Sequence, residues 1–403
     1  MSNVSVPLVD VPAHVPPHLV VDWDFYNPPG GEIDINGAWK KLHDGPDIVW
    51  TRYNGGHWIL TRAEDIEFAQ KNHDPFSMRE INLPASTTTA RILPLAADPP
   101  EHAGYRAIIN RSFSPQMVRN MEDEIRTLTV ELIEGFRSKG ECEFMADFAM
   151  KLPITIFMRL VDLPLDDLDK LLEWTEASVR GSQAQREDAQ RDLFAYLQDT
   201  IRQRQDSPGD DLISAIVNGQ VSKRPLTQEE INGMMVNVVF GGLDTVASTM
   251  GFATLYLARN AEHRRQLASS PELIPNAVEE MLRMFGPSST GRIVTRDYDY
   301  KGVQFKKGDR VYVRPGLHGM DERKFKCPMH ADFERENVSQ HASFGNGPHR
   351  CAGALLARME IRVFLEEWFK RIPDFDLKPG EQPRFEAGMV NCVTRVPLVW
   401  RVS

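Results

Sequence analysis

The sequence predicts a mainly α-helical protein with a smaller β-rich part. Three observations carry this. From about residue 100 to 285 the signal is mainly helical, with Leu193–Arg204 one amphipathic example. Strand-like alternation is confined to the regions on either side. A run of roughly 30 residues starting near Thr227 reads as one helix about 45 Å long, enough to cross the core of a domain this size.

Taken in order, residues 1–32 are irregular and Pro-rich and read as a surface arm. Asp47–Arg52 and Trp58–Thr61 read as short strands around a Gly55-Gly56 turn. Asp98-Pro99-Pro100-Glu101-His102 reads as a helix start, with Asp98 as N-cap and Pro in the first turn. His102 and Arg106 then share a face, as a solvated basic edge or as a clamp on a carboxylate or phosphate. Thr227-Gln228-Glu229-Glu230 has the capping-box pattern. Inside the helix that follows sits Gly241-Gly242-Leu243-Asp244-Thr245, and two glycines there cost about 1 kcal/mol each relative to Ala. Residues 291–315 return to strand alternation around Lys307-Gly308-Asp309, and Val393–Val402 is strand-like again. No repeat or linker divides the chain, so residues 1–403 read as a single domain, its smaller sheet-rich part assembled from both ends of the sequence.

A net charge of −10 argues against a general nucleic-acid binder. The N-terminus lacks the basic and apolar regions of a signal peptide, and no stretch approaches the roughly 20 apolar residues of a membrane span. Cys142, Cys327, Cys351 and Cys392 are widely spaced and suggest neither a zinc knuckle nor a disulfide framework. A cytoplasmic setting fits best.

Only Cys351 has chemically suggestive neighbours. In Phe344-Gly345-Asn346-Gly347-Pro348-His349-Arg350-Cys351-Ala352-Gly353 three glycines permit close backbone approach, and a helical run follows from Ala354. A thiolate is favoured at such a helix start. On these features alone, a glycine-rich turn with an incidental buried cysteine reads equally well. Glu280-Met281-Leu282-Arg283 places an acid and a guanidinium on one helix face, a common surface arrangement.

The order Gly241-Gly242-Leu243-Asp244-Thr245, Glu280-x-x-Arg283, then Phe344-Gly-x-Gly-x-His-x-Cys351-x-Gly353 resembles the cytochrome P-450 superfamily. The likeness is closer still to its bacterial camphor-hydroxylase group, through Cys327-Pro328-Met329-His330, Arg371-Ile372-Pro373-Asp374-Phe375 and Pro397-Leu398-Val399-Trp400. It implies the P-450 fold, with haem b between the long central helix and the cysteine-loop helix. Cys351 would be the proximal ligand, with Phe344 packed beside its loop. Glu280 and Arg283 would brace that loop from beneath. His102, Arg106, Arg292 and His349 would hold the propionates. Thr290 stands where the group has an aspartate that also meets a propionate. Gly241 and Gly242 would make room for dioxygen, and Asp244 and Thr245 would relay protons to it.

The same resemblance places Ile81, Ala90, Leu95, Asn237, Phe240, Ser288, Thr290, Met389 and Val390 around the substrate. Ala90 replaces the tyrosine that binds the ketone in the camphor enzyme, so camphor is not inferred. A mainly apolar terpenoid-like substrate, such as a norisoprenoid ketone of the ionone type, fits these changes. The chain contains no flavin, nicotinamide or iron–sulfur signature. The resemblance therefore implies a [2Fe–2S] ferredoxin donor reduced by an NADH-dependent flavoprotein reductase, with Arg106 and Arg358 on the docking face of a monomer. A peroxide-driven hydroxylase and a haem-thiolate gas or redox sensor are the alternatives. Asp244-Thr245 argues against the first, and the lack of an output module against the second.

Overall fold

The computed structural model describes residues 7–84, 91–180 and 183–402. The middle of the chain is helical as its apolar spacing predicts, including Glu101–Asn110, Glu122–Arg137, Lys151–Leu160, Gln183–Asp206 and Ile274–Phe285. The capping box forms in full. Glu230 N–H donates to the Thr227 hydroxyl at 3.3 Å, and Thr227 N–H donates to the Glu230 carboxylate at 2.8 Å.

The helix that starts there does not run unbroken. Gln228–Leu243 and Thr245–Arg259 meet at Asp244. The Thr245 hydroxyl donates to the Gly241 carbonyl at 3.2 Å, back-bonding of the kind that bends helices. The second half is deeply buried: Ala247, Met250 and Ala253 have no exposed surface. The last long helix, Ala354–Arg371, packs on Glu122–Arg137 and Ile274–Phe285. The cysteine loop is thereby tied to the helical core.

The main sheet has six strands, in the order Val20–Val21, Ile48–Thr51, His57–Leu60, Arg310–Val313, Thr290–Val294 and Phe76–Ser77. It joins the N-terminal part of the chain to residues 290–313, as the alternation predicts. Arg310–Val313 runs parallel to His57–Leu60 and antiparallel to Thr290–Val294. Val311 pairs with Arg292, so register fixes where that arginine stands. Gly55 and Gly56 both take positive φ, 84° and 77°, which glycine alone adopts without strain.

Three expectations are corrected. Residues 1–32 are not wholly a surface arm: Val20–Val21 joins the sheet, and Trp23 and Phe25 are buried. Aromatic burial against Trp39 and Tyr312 holds the segment without any regular period. The C-terminal strands do not enter the main sheet. Pro397–Val399 pairs with Asp376–Leu377 and Glu141–Glu143, and Cys392–Arg395 pairs with Arg384–Glu386. Asp98 is not an N-cap. Its carboxylate instead accepts from Ser77 Oγ at 2.5 Å and Met78 N–H at 3.0 Å, while the helix begins three residues later at Glu101.

Candidate active site

A cavity of about 450 Å³ lies between the broken helix, the cysteine loop and the entry to the Thr290–Val294 strand. Its wall gathers residues that are far apart in sequence: His102, Arg106, Gly241, Thr245, Arg292, Phe344, His349 and Cys351. Their predicted grouping is therefore real in space.

Cys351 follows the short turn Gly347–His349 and precedes the helix Ala354–Arg371. Gly345 and Gly347 both have φ of 73°, and a Cβ at Gly347 would lie 2.8 Å from the Gln70 carbonyl oxygen. The glycines are thus required by backbone shape and close approach. The loop closes on itself through Cys351 N–H, which donates to the Phe344 carbonyl at 2.8 Å. The residue counts as exposed because it opens on the cavity, yet protein encloses the thiol on nearly every other side. Burial pushes the thiol up, while the Gly353 N–H and the cations of Arg106, Arg358 and Arg350 favour the thiolate.

The basic wall has an unsatisfied character. His102 Nε2 and His349 Nε2 are buried with no partner among the described residues, and their rings lie 4.4 Å apart. Burial lowers both imidazoles, His349 to about 3 with His102 and Arg292 adding to the effect. Arg292 is buried and, among the described residues, donates only to the Thr290 hydroxyl, at 2.9 Å, and the Gly291 carbonyl, at 3.1 Å. Burial without a contacting carboxylate brings Arg292 down to about 10. Thr290 thus keeps a polar contact with Arg292 but brings no charge. A flat group carrying carboxylates fits this wall, because it would supply the missing acceptors and countercharge. Arg106 is set differently: its guanidinium donates to the Arg350 carbonyl and to Asn110 Oδ1, so it also ties down the cysteine loop.

On the opposite wall, a Cβ on Gly241 would meet nothing within 4 Å. Gly241 therefore leaves open space over the cavity. Gly242 serves packing as well, since a Cβ there would lie 2.9 Å from Phe157 Cδ2. Thr245 lines the cavity, whereas Asp244 is buried behind it at the helix break.

Of the expected substrate positions, Leu95, Asn237, Ser288, Thr290 and Val390 line the cavity. Ile81 and Met389 do not line it. Their carbonyls accept from Gly291 N–H at 3.0 Å and Ser289 N–H at 2.7 Å, so they hold the wall in place from behind. Ala90 and the side chain of Phe240 lie outside the described residues.

The bracing differs from expectation too. Glu280 and Arg283 are fully buried and form a bidentate pair at 2.7 and 2.8 Å. Their further partners are Gly319, Asp332 and Arg335, not the cysteine loop. The loop is held by the preceding residue, Glu279, which accepts from His341 at 3.0 Å and from Arg358 at 2.5 and 2.9 Å. Arg358 lies 4.5 Å over the Phe344 ring. Its guanidinium is thus paired with Glu279 and stacked on Phe344. Glu279 was missed because one more acid on an amphipathic helix carries no local signal. Glu360, also missed, reaches the cavity from the last helix, and its buried Oε2 has no partner among the described residues.

No helix among the described residues is long and apolar enough to cross a membrane. Residues 135–394 match the family model described as Cytochrome P450. The chain is 34% identical over 401 residues to "Probable cytochrome P450 127A1" of Sinorhizobium fredii, covering 97% of each. It is 29% identical to the "Mycinamicin IV hydroxylase/epoxidase" of Micromonospora griseorubida, covering 91% of this chain and 96% of that protein. The crystal structure of cytochrome P450 CYP101C1 matches with a TM-score of 0.90 at 38% identity, over 97% of this chain and 100% of that one. That of CYP101J2 matches with a TM-score of 0.88 at 37% identity, over 98% and 100%. The protein is a monooxygenase that uses haem b, bound through a cysteine thiolate, and dioxygen. Fold, cavity and both kinds of likeness agree: the chain belongs to the cytochrome P450 family, among its camphor-hydroxylase-like bacterial members.

Proposed function

We propose that this enzyme hydroxylates a mainly apolar, terpenoid-like small molecule, with a norisoprenoid ketone of the ionone type the favoured class, and that Cys351 is its haem ligand. The supporting observation is the shared cavity: among the described residues, Cys351 is the one cysteine that opens on it, together with the glycine-containing helix break. His102, Arg292 and His349 would hold the propionates, with Arg106 divided between that task and the loop. Haem b, when bound, supplies dioxygen activation and the insertion of one oxygen atom into a C–H bond.

The chain's own residues set the conditions for that chemistry. Gly241 keeps the helix wall clear. Thr245 presents a hydroxyl at the cavity, and Asp244 stands beside it at the break, so protons pass by way of hydroxyl and water. Leu95, Val246 and Val390 give the substrate an apolar surround. Electrons come from a [2Fe–2S] ferredoxin reduced by an NADH-dependent flavoprotein reductase. The enzyme works as a monomer and as one catalytic unit, in the reducing cytoplasm.

NADH consumption and product formation with a ferredoxin and its reductase test this reading, in wild type and Thr245→Ala. Wild type should form alcohol, and the variant should consume NADH with little product. No product in either points to a sensor, and product from peroxide alone with Thr245→Ala unaffected points to a peroxide-driven enzyme. Cys351→Ser should lose the red-shifted ferrous–CO Soret band, and its retention would sink the ligand assignment.

A further inference from the structure

Three consecutive hydroxyl residues, Ser288, Ser289 and Thr290, line the cavity. Two are already engaged. The Ser289 hydroxyl accepts from Arg314 at 3.4 Å, and Thr290 accepts from Arg292 at 2.9 Å. Ser288 forms a backbone bridge with Val390, but its hydroxyl has no hydrogen bond among the described residues. On the facing helix, the Asn237 amide is in the same position. Two other half-buried asparagines are satisfied: Asn260 donates to the Tyr256 carbonyl and Asn276 to the Phe333 carbonyl.

The two free groups are not equivalent. A serine hydroxyl is a rotor and can turn towards a nearby carbonyl. A primary amide is a rigid fork of two N–H donors beside one acceptor, and a mostly apolar wall offers it nothing. Leaving it unmade is unfavourable, so a ligand that supplies an acceptor gains. Asn237 lies four residues before Gly241, on the same face of one helix and about 6 Å along its axis. A group bound there lies about one helical turn from the open space over Gly241.

We infer that Asn237 is the specificity-determining anchor of the substrate. Its amide N–H donates to a carbonyl oxygen, and the substrate is an apolar ketone whose carbonyl is held one helical turn along the wall from Gly241. This inference rests on the hydroxylase reading above and narrows it, since a plain hydrocarbon would leave the amide unpaired. Rejection of the analogue lacking the oxygen follows from the same unpaired group.

Optical titration of the haem-loaded protein with β-ionone and with the matched hydrocarbon lacking the carbonyl tests it. Wild type should prefer the ketone. Asn237→Leu, close in volume, should weaken ketone binding on the order of tenfold and change hydrocarbon binding by less than about twofold. Ser288→Ala should leave both ligands within about twofold of wild type. Equal weakening of both ligands in Asn237→Leu, a loss carried by Ser288→Ala instead, or no ketone preference in wild type would each overturn the assignment. Because the readout is binding, it is separate from turnover. A wild type that binds β-ionone selectively yet forms no alcohol with the ferredoxin system would refute the hydroxylase reading and leave the anchor standing.

Discussion

Glu360 offers the most quantitative test. It lies on the Ala354–Arg371 helix, is only 3% exposed, and has a carboxylate oxygen with no partner among the described residues. Burial is the sole influence on it and raises its pKa from 4.5 to about 8. The unfolded chain therefore releases this proton well below the pH at which the folded protein does. Stability is undiminished below the ordinary carboxyl value and falls as pH rises from there to about 8. At neutral pH the folded state holds a proton the unfolded state has lost, a cost of about 3 kcal/mol at 1.36 kcal/mol per pH unit. Glu360→Gln keeps the shape and removes the titration. Relative to wild type the variant should gain less than ~1 kcal/mol near pH 5 and about 3 kcal/mol near pH 7. Urea midpoints of the haem-loaded protein at both values measure this. A variant whose advantage does not grow with pH would refute the argument that the carboxyl is buried without compensation.

Glu280→Gln leaves the buried guanidiniums of Arg283 and Arg335 without their carboxylate, and breaking such a pair costs about 3–5 kcal/mol. It should lower the unfolding midpoint and the yield of haem-loaded protein, with the substrate preference of what survives unchanged. Gly242→Ala should destabilise by about 1–3 kcal/mol through its contact with Phe157, whereas Gly241→Ala, which meets no neighbour, should gain about 1 kcal/mol of helix stability and slow turnover. Glu279 is raised by burial, but His341 and Arg358 outweigh that and hold it at about 2. Its contribution is present above the ordinary carboxylate range and is lost as pH falls towards about 2, so Glu279→Gln should flatten the acid limb of haem release measured by absorbance.

Much of the site was legible because it is written in local patterns. A glycine-flanked cysteine before a helix, glycines beside an acid and a threonine in a long apolar helix, and an acid three residues before an arginine each state a backbone requirement at short range. The capping box at Thr227 and the turns at Gly55-Gly56 and Gly308 were readable for the same reason. The break at Asp244 was only half visible, since the glycines weaken the helix but the Thr245 hydroxyl bond decides where it ends.

Other assignments needed the third dimension. Glu279 and Glu280 are neighbours in sequence, but successive side chains on a helix diverge by about 100°. One therefore meets His341 and Arg358 of the cysteine-loop region, and the other meets Arg283 and Arg335. The cavity wall shows the same dependence on tertiary contact: Ser288, Ser289 and Thr290 line it, while Ile81 and Met389 from other segments support it through their carbonyls. By itself the sequence determined the fold class and the family, because short-range backbone chemistry and residue order carry them. Tertiary structure alone decided that Arg358 is held by Glu279, and that among the described residues Glu360 is buried unpaired and Asn237 faces the cavity without a partner. Those outcomes depend on which groups distant segments bring within a few ångströms, and a hydrogen bond or its absence is settled at that range.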